Sequence, residues 1–134
     1  MRVLFISLLC SLFPLASVAQ CWSVTNLKGY SAYEAEHYEY SKNGMSKSVF
    51  NIDITKDHAK LNVVNGAHVA GIEYMPVSSS SMVGFYVDGN ISVVETWAIT
   101  NQNKVLYSKV VNNHESVTGT TSFVGDVVGD CATN

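Results

Sequence analysis

The sequence predicts an all-β domain built as an antiparallel, up-and-down meander of about eight strands. Apolar and polar residues alternate in short runs, which is typical of an antiparallel sheet with one buried face. Turn residues separate these runs at spacings of about ten residues. No segment shows the alternation of helix and strand that a parallel sheet requires. Consecutive hairpins of this kind favour a small closed barrel, with a two-sheet sandwich as the alternative.

The phase of each run identifies the predicted strands and the face that each one buries. In chain order the predicted strands are 22–28, 37–41, 48–55, 59–63, 69–75, 82–87, 91–100 and 105–111. Trp22 and Val24 share one face of the first strand, and Asn26 is a further candidate for that face. In the third strand Phe50, Ile52 and Ile54 are expected to face the core.

Three glycine-containing pairs mark predicted turns, namely Asn43-Gly44, Asn65-Gly66 and Asp88-Gly89. Each is expected to need a positive φ, which glycine adopts without steric penalty. Pro76 and the serine run 78–81 are expected to form a loop.

Two segments do not follow the strand pattern. Residues 31–39 fit either a short helix or a loop. In 122–128 the apolar residues have the spacing of a helical stripe, with Ser122 as a candidate N-cap, although Gly125 and Gly129 weaken that helix. The alternative to this short C-terminal helix is a final strand that carries Cys131 back to Cys21.

Residues 1–19 have the order of a secretory signal peptide, in which Arg2 precedes an apolar run and small residues precede the cleavage site. A membrane anchor is the alternative, but the run is shorter than the ~20 apolar residues that cross a bilayer. Gln20 stands where a lipoprotein needs a small residue. We therefore expect a single domain, residues 20–134, that is periplasmic or secreted, monomeric and without a membrane span.

Cleavage would leave two cysteines, Cys21 and Cys131, one near each end of the domain. In an oxidising compartment such a pair is most simply a disulfide. The alternatives are a metal site and a reactive thiol, but neither cysteine has another cysteine or a histidine at ligand spacing.

Charge and motifs exclude several classes of function. The 11 acidic residues outnumber the eight basic ones, and the one arginine, Arg2, lies in the signal segment. Nucleic-acid binding, which depends on clustered Lys and Arg, is therefore not expected. The four histidines lack metal-ligand spacing, and there is no nucleophile elbow, phosphate loop or dinucleotide fingerprint. We expect no metal, no cofactor and no enzymatic activity.

Glu95 and Trp97 are the first candidate ligand-binding residues, because the run 91–99 places both on the apolar side of a strand. An inward carboxylate is costly unless it is paired, hydrated or protonated. In a barrel with room for a ligand, both side chains would line the cavity. The alternative is that the opposite face of the strand is buried, or that Glu95 meets water at the rim.

A second candidate lies in the tyrosine-rich segment 30–40, where Tyr38 and Tyr40 stand among three glutamates. Tyrosine offers contact area and a hydroxyl at low entropic cost, so this segment fits a recognition surface. The alternative interpretation is that tyrosine simply suits strands.

Three segments, Trp22 to Gly29, Lys104 to Lys109 and Phe123 to Gly129, resemble a group of small exported bacterial proteins of unknown function. The resemblance implies a bacterial, periplasmic setting and assigns no functional residue. In outline the architecture is also similar to calycin barrels and to small periplasmic lysozyme inhibitors, by analogy only.

The leading hypothesis is an exported, non-catalytic binding module of the bacterial envelope, which holds a small apolar ligand or a protein partner. The alternative is a periplasmic inhibitor or immunity protein that acts against a secreted enzyme. A hydrolase that uses scattered carboxylates and histidines is a third, less favoured class.

Overall fold

The computed structural model describes residues 19–131, so residues 1–18 of the predicted signal peptide lie outside the described residues. The strands in chain order are β1 (Gln20–Tyr33), β2 (Ser41–Ile54), β3 (Ala59–Asn65), β4 (Glu73–Ser78), β5 (Ser81–Asp88), β6 (Ile91–Ile99), β7 (Lys104–Asn112) and β8 (Gly119–Asp130). A short 3-10 helix, Glu34–Glu36, follows β1.

The eight strands form one antiparallel sheet in the order β3-β2-β1-β8-β7-β6-β5-β4. Strands consecutive in the chain pair with each other except β3 and β4, and β8 returns to pair with β1. The two edge strands, β3 and β4, pack against each other without a hydrogen-bonded ladder, so the barrel is nearly closed. The predicted all-β meander is confirmed. Within the described residues no helix is long and apolar enough to cross a membrane.

The core receives the inward residues of the strands, and it confirms the predicted phase of β2. Phe50, Ile52 and Ile54 are all buried. In β1 the regular alternation is interrupted at Asn26, whose φ of 60° marks a bulge between two paired stretches. The bulge places Val24 and Leu27 in the core, while the Asn26 side chain donates to Asp126. Asn26 therefore does not belong to the buried face.

The hairpin predicted at Asn43-Gly44 is wrong, because β2 runs straight through it and pairs with β1 at Lys28 and Gly29. The first strand correspondingly extends past its predicted end to Tyr33. Glycine is needed at position 44 for close approach, since a Cβ there would lie 2.6 Å from the carbonyl oxygen of Leu27. The connection between β1 and β2 instead occupies residues 34–40. It includes most of the segment 37–41 that was predicted as a strand.

The positive φ predicted at the other two turns is confirmed, since Gly66 and Gly89 have φ values of 112° and 58°. Asp88-Gly89 joins β5 to β6 as a hairpin. Gly66 begins a longer connection, and β4 starts at Glu73 rather than near Val69. Pro76 lies within β4, an edge strand, where the missing N–H is tolerated. The ambiguous C-terminal segment is a strand, β8, rather than a helix.

The disulfide predicted between Cys21 and Cys131 is confirmed, with Cα atoms 5.2 Å apart. The backbone N–H of Cys131 also donates to the carbonyl oxygen of Cys21. The bond lies beside the β1–β8 pair and joins the first described strand to the last.

Candidate functional site

Inward-facing side chains of neighbouring strands form layers across the barrel, because the strands pair residue by residue. The mouth layer, nearest the connections β1–β2, β3–β4, β5–β6 and β7–β8, contains Tyr86, Val93, Val111, Gly119 and Tyr33. The polar layer below it contains Gly84, Glu95, Lys109, Thr121 and Ser31. The aromatic layer below that contains Met82, Trp97, Tyr107 and Phe123. We call the end with these four connections the loop end.

Glu95 is only 1 % exposed and accepts hydrogen bonds from four side chains, which together we call the Glu95 cluster. Trp97 Nε1 donates to Oε1 over 2.8 Å, and Tyr107 OH donates to Oε2 over 3.1 Å. His68 Nε2 lies 3.0 Å from Oε1, and the hydroxyl of Tyr74 donates to the same oxygen. The inward carboxylate is therefore paired, as its burial requires.

The hydrogen bonds and charges of the Glu95 cluster favour the ionised form of the Glu95 carboxylate. Burial alone would raise the pKa of Glu95, but hydrogen bonds and charge from His68, with the bonds from Tyr74 and Trp97, hold it below its usual value. Burial, together with the charge of Glu95, raises the pKa values of Tyr74 and Tyr107 well above their usual range. Both tyrosines consequently remain donors at any ordinary pH.

His68 reaches Glu95 from the connection between β3 and β4. Its side chain is 7 % exposed, and Nε2 also lies 3.0 Å from the hydroxyl of Tyr74 on β4. Because β3 and β4 share no ladder, this inserted histidine covers the barrel interior beside their junction. The connection is thus fixed to the core by polar contacts.

Trp97 faces the interior as expected, but the expected ligand space beside it is filled by other rings. The centroid of Tyr107 lies 4.3 Å from that of Trp97, and the centroid of Phe50 lies at 5.3 Å. Neither Glu95 nor Trp97 lines the four cavities that border residues 28–46, 54–79, 33–117 and 33–123 of the described part of the chain. That Glu95 and Trp97 contact a ligand directly stays a prediction.

A cavity of about 430 Å³ opens instead at the loop end, and we call it the loop-end cavity. Its apolar lining comes from two strands, β6 and β7, and two connections: Val69, Ala70, Ile91, Val93, Val111 and Val117. Its polar lining consists of Tyr33, Tyr86, Asp88, Lys109 and His114. Apolar walls with a few polar groups are typical of small-molecule sites, and the volume lies within their usual range.

Tyr38 and Tyr40 lie in the β1–β2 connection at the same end, where they are 55 % and 70 % exposed. Neither lines the loop-end cavity, whereas Tyr33 of the same segment does. Their role in binding remains a prediction. Tyr38 has a φ of 60°, and His37 beside it has 54°, which is uncommon for residues other than glycine.

Sequence reasoning missed His68, Tyr74 and Lys109. Lys109 could have been found, because Val105, Tyr107, Lys109 and Val111 form an alternating run like the one that identified Glu95. His68 carries no such signal, since it lies in an irregular connection and only the closure of the barrel brings it to Glu95.

Comparison of the chain with protein-family models, curated proteins and solved structures finds no match. Within the described residues, no group of three or more His, Cys, Asp or Glu side chains is placed to hold a metal ion.

Proposed function

We propose that the chain is an exported, non-catalytic binding module of the bacterial envelope that takes a small apolar ligand in the loop-end cavity. The observation that carries the proposal is the cavity itself, which is concave, largely apolar and built partly on paired strands. Rigid strands hold a binding site in shape better than loops alone. The disulfide is consistent with a non-cytoplasmic setting.

The polar chemistry inside the barrel supports binding rather than catalysis. The carboxylate of Glu95 faces four donors and does not line the loop-end cavity. A general base must come within hydrogen-bond reach of the proton that it abstracts. Glu95 is separated from a ligand in the cavity and is better explained as a group that stabilises the fold.

A neutral apolar dye, N-phenyl-1-naphthylamine, tests the proposal through its fluorescence on binding. The parent protein is expected to bind it, and Val117→Asp should weaken binding at least about tenfold by placing a charge on the cavity wall. Val87→Asp is the matched control, because Val87 is also an exposed valine but does not line the cavity. An absence of dye binding, or equal effects of the two variants, would contradict the proposal.

A second candidate function, an inhibitor or immunity protein against a secreted enzyme, is favoured by the surface around the cavity. The four connections at the loop end carry four carboxylates, Glu34, Glu36, Glu39 and Glu115, and no lysine, and Asp88 at the end of β5 adds a fifth. Exposed Tyr38 and Tyr40 add aromatic contact area there. A pull-down from periplasmic extract with the mature domain as bait tests this candidate. The parent domain should capture a secreted enzyme, and the Tyr38→Ala/Tyr40→Ala variant should fail to capture it.

A further inference from the structure

Lys109 is the one inward-facing lysine of the polar layer, and its position is unusual for a charged residue. It lies between Tyr107 and Val111 on the buried face of β7, where it is partly buried. It pairs across the sheet with Glu95 on one side and Thr121 on the other. An ammonium group in such a position is costly unless an anion or water compensates it.

No carboxylate of the described residues supplies that compensation. The two salt bridges within residues 19–131 join His68 to Glu95 and Lys104 to Asp126, so Lys109 takes part in neither. Glu95 is the nearest acidic residue in register, but its oxygens already accept from the rest of the Glu95 cluster. Asp88, the carboxylate of the cavity lining, instead accepts a bond of 3.4 Å from Tyr86.

Several hydroxyl and amide groups lie near the ammonium of Lys109. Together with Lys109 we call them the Lys109 group. Thr121 Oγ1 lies 3.0 Å from Ser31 Oγ and 3.3 Å from Tyr33 OH. Asn43 Nδ2 donates to Ser31 Oγ over 3.0 Å. With Lys109, three of these residues, Tyr33, Asn43 and Thr121, border a second small cavity of about 80 Å³. Lys109 and Tyr33 line the loop-end cavity as well.

The surroundings of Tyr33 indicate that the Lys109 group favours negative charge on a nearby oxygen. Burial would raise the pKa of Tyr33, but hydrogen bonds with Ser31 and Thr121 and the charge of Lys109 outweigh burial and lower it. A lowered tyrosine pKa means that negative charge on oxygen is stabilised at this position. The Lys109 group is thus suited to an external anionic oxygen.

We infer that the ligand of the loop-end cavity is a small amphipathic anion, with a carboxylate at Lys109 and a hydrocarbon part along the valine wall. The inference rests on the proposed function and specifies the class of ligand. Val93 and Val111 line the wall one layer above Lys109, so a single molecule can contact both the wall and the ammonium. A charge-assisted hydrogen bond to the ammonium would orient the molecule with its head group inward.

Octanoate and octanol form a matched pair of probes, because they share a hydrocarbon chain and differ in the head group. Their affinities are measured by titration calorimetry near neutral pH, and the binding site is located by amide NMR shifts. The parent is expected to bind octanoate at least about tenfold more tightly than octanol, since hydrogen bonds to charged groups are the stronger ones.

Lys109→Met should abolish the preference for octanoate over octanol, whereas Lys109→Arg should keep that preference. Lys60→Met is the control, because Lys60 is an exposed lysine on β3 outside the cavity. If both probes bind at the loop end with equal affinity, or if Lys109→Met keeps the preference, the anion assignment is wrong while the proposed function stands. If neither probe binds, the proposed function fails as well.

Discussion

Glu95 and Lys109 lie opposite each other on adjacent strands of one layer, yet the barrel treats the two charges differently. The Glu95 cluster is closed, because four side chains donate to its carboxylate and water hardly reaches it. The Lys109 group is open, because its ammonium has no carboxylate partner among residues 19–131 and borders two cavities.

The difference separates a stabilising role from a binding role. A buried charge whose hydrogen bonds are all satisfied holds its neighbours in place, and its removal leaves them unpaired. A charge beside empty space contributes little to the fold and remains available to a ligand. Burial of a charged residue alone therefore does not identify a binding site; the decisive observation is whether the partners of that charge come from the chain itself.

The largest expected effect comes from replacing the acceptor of the closed cluster. Glu95→Leu keeps a similar volume but removes the acceptor of four side chains. Trp97 and Tyr107 lose their partner, and His68 and Tyr74 keep only each other. We expect a loss of about 4 kcal/mol in the free energy of unfolding. Urea unfolding measures it. Glu73→Leu, at an exposed glutamate of β4, should change stability by less than about 0.5 kcal/mol. Similar losses of unfolding free energy in Glu95→Leu and Glu73→Leu would show that the Glu95 cluster stabilises the fold no more than an exposed carboxylate does.

The same cluster should make the stability depend on pH in the acid range. Because the pKa of Glu95 is lowered on folding, its ionised form stabilises the fold above the unfolded pKa of about 4.3. That contribution is lost as the pH falls through the folded pKa. The difference in unfolding free energy between the parent and Glu95→Gln should therefore shrink below about pH 4. A difference that stays constant from neutral pH down to about pH 2 would show that folding does not lower the pKa of Glu95.

The β5–β6 turn sets the register of β6, on which both charged groups depend. Gly89 has a φ of 58° and no atom within 4 Å of an added Cβ, so Gly89→Val should cost about 1 kcal/mol or more through backbone strain alone. Gly129→Val is a suitable control, since position 129 is equally open but has no positive φ. In thermal unfolding, Gly89→Val should melt at a lower temperature than Gly129→Val. Equal melting temperatures would contradict the turn assignment.

The smallest effect on stability is expected at the open charge. Lys109→Met should change the free energy of unfolding by less than about 1 kcal/mol, because no ion pair is lost. Measured beside Glu95→Leu in the same urea series, it quantifies the contrast between the two groups. A loss as large as that of Glu95→Leu would mean that Lys109 has a partner within the fold.

The alternation of short apolar runs was enough to predict the meander and the core face of β2, because a strand period of two records which side is buried. It failed at Asn26, where one bulged residue reverses the phase, and at Gly44, where glycine permits close strand approach instead of a turn. Both errors arise from contacts between β1 and β2 that no local pattern contains.

The candidate site was predicted only in part. Alternation placed Glu95 and Trp97 inside, and the same rule applied to β7 would have placed Lys109 there too. His68 and the loop-end cavity depend on how two separate connections, β3–β4 and β7–β8, meet the strands at one end of the barrel. Their arrangement follows from closure of the sheet, which residue spacing along the chain does not encode.

The Cys21–Cys131 bond makes the backbone between these residues a covalent ring. A protease that cuts this ring once, in any of the seven connections, opens it without releasing a fragment. The two new ends stay attached to the same molecule, so the cut strands can pair again without a second-order encounter. After a single cut, the disulfide must therefore be reduced before the two pieces can separate.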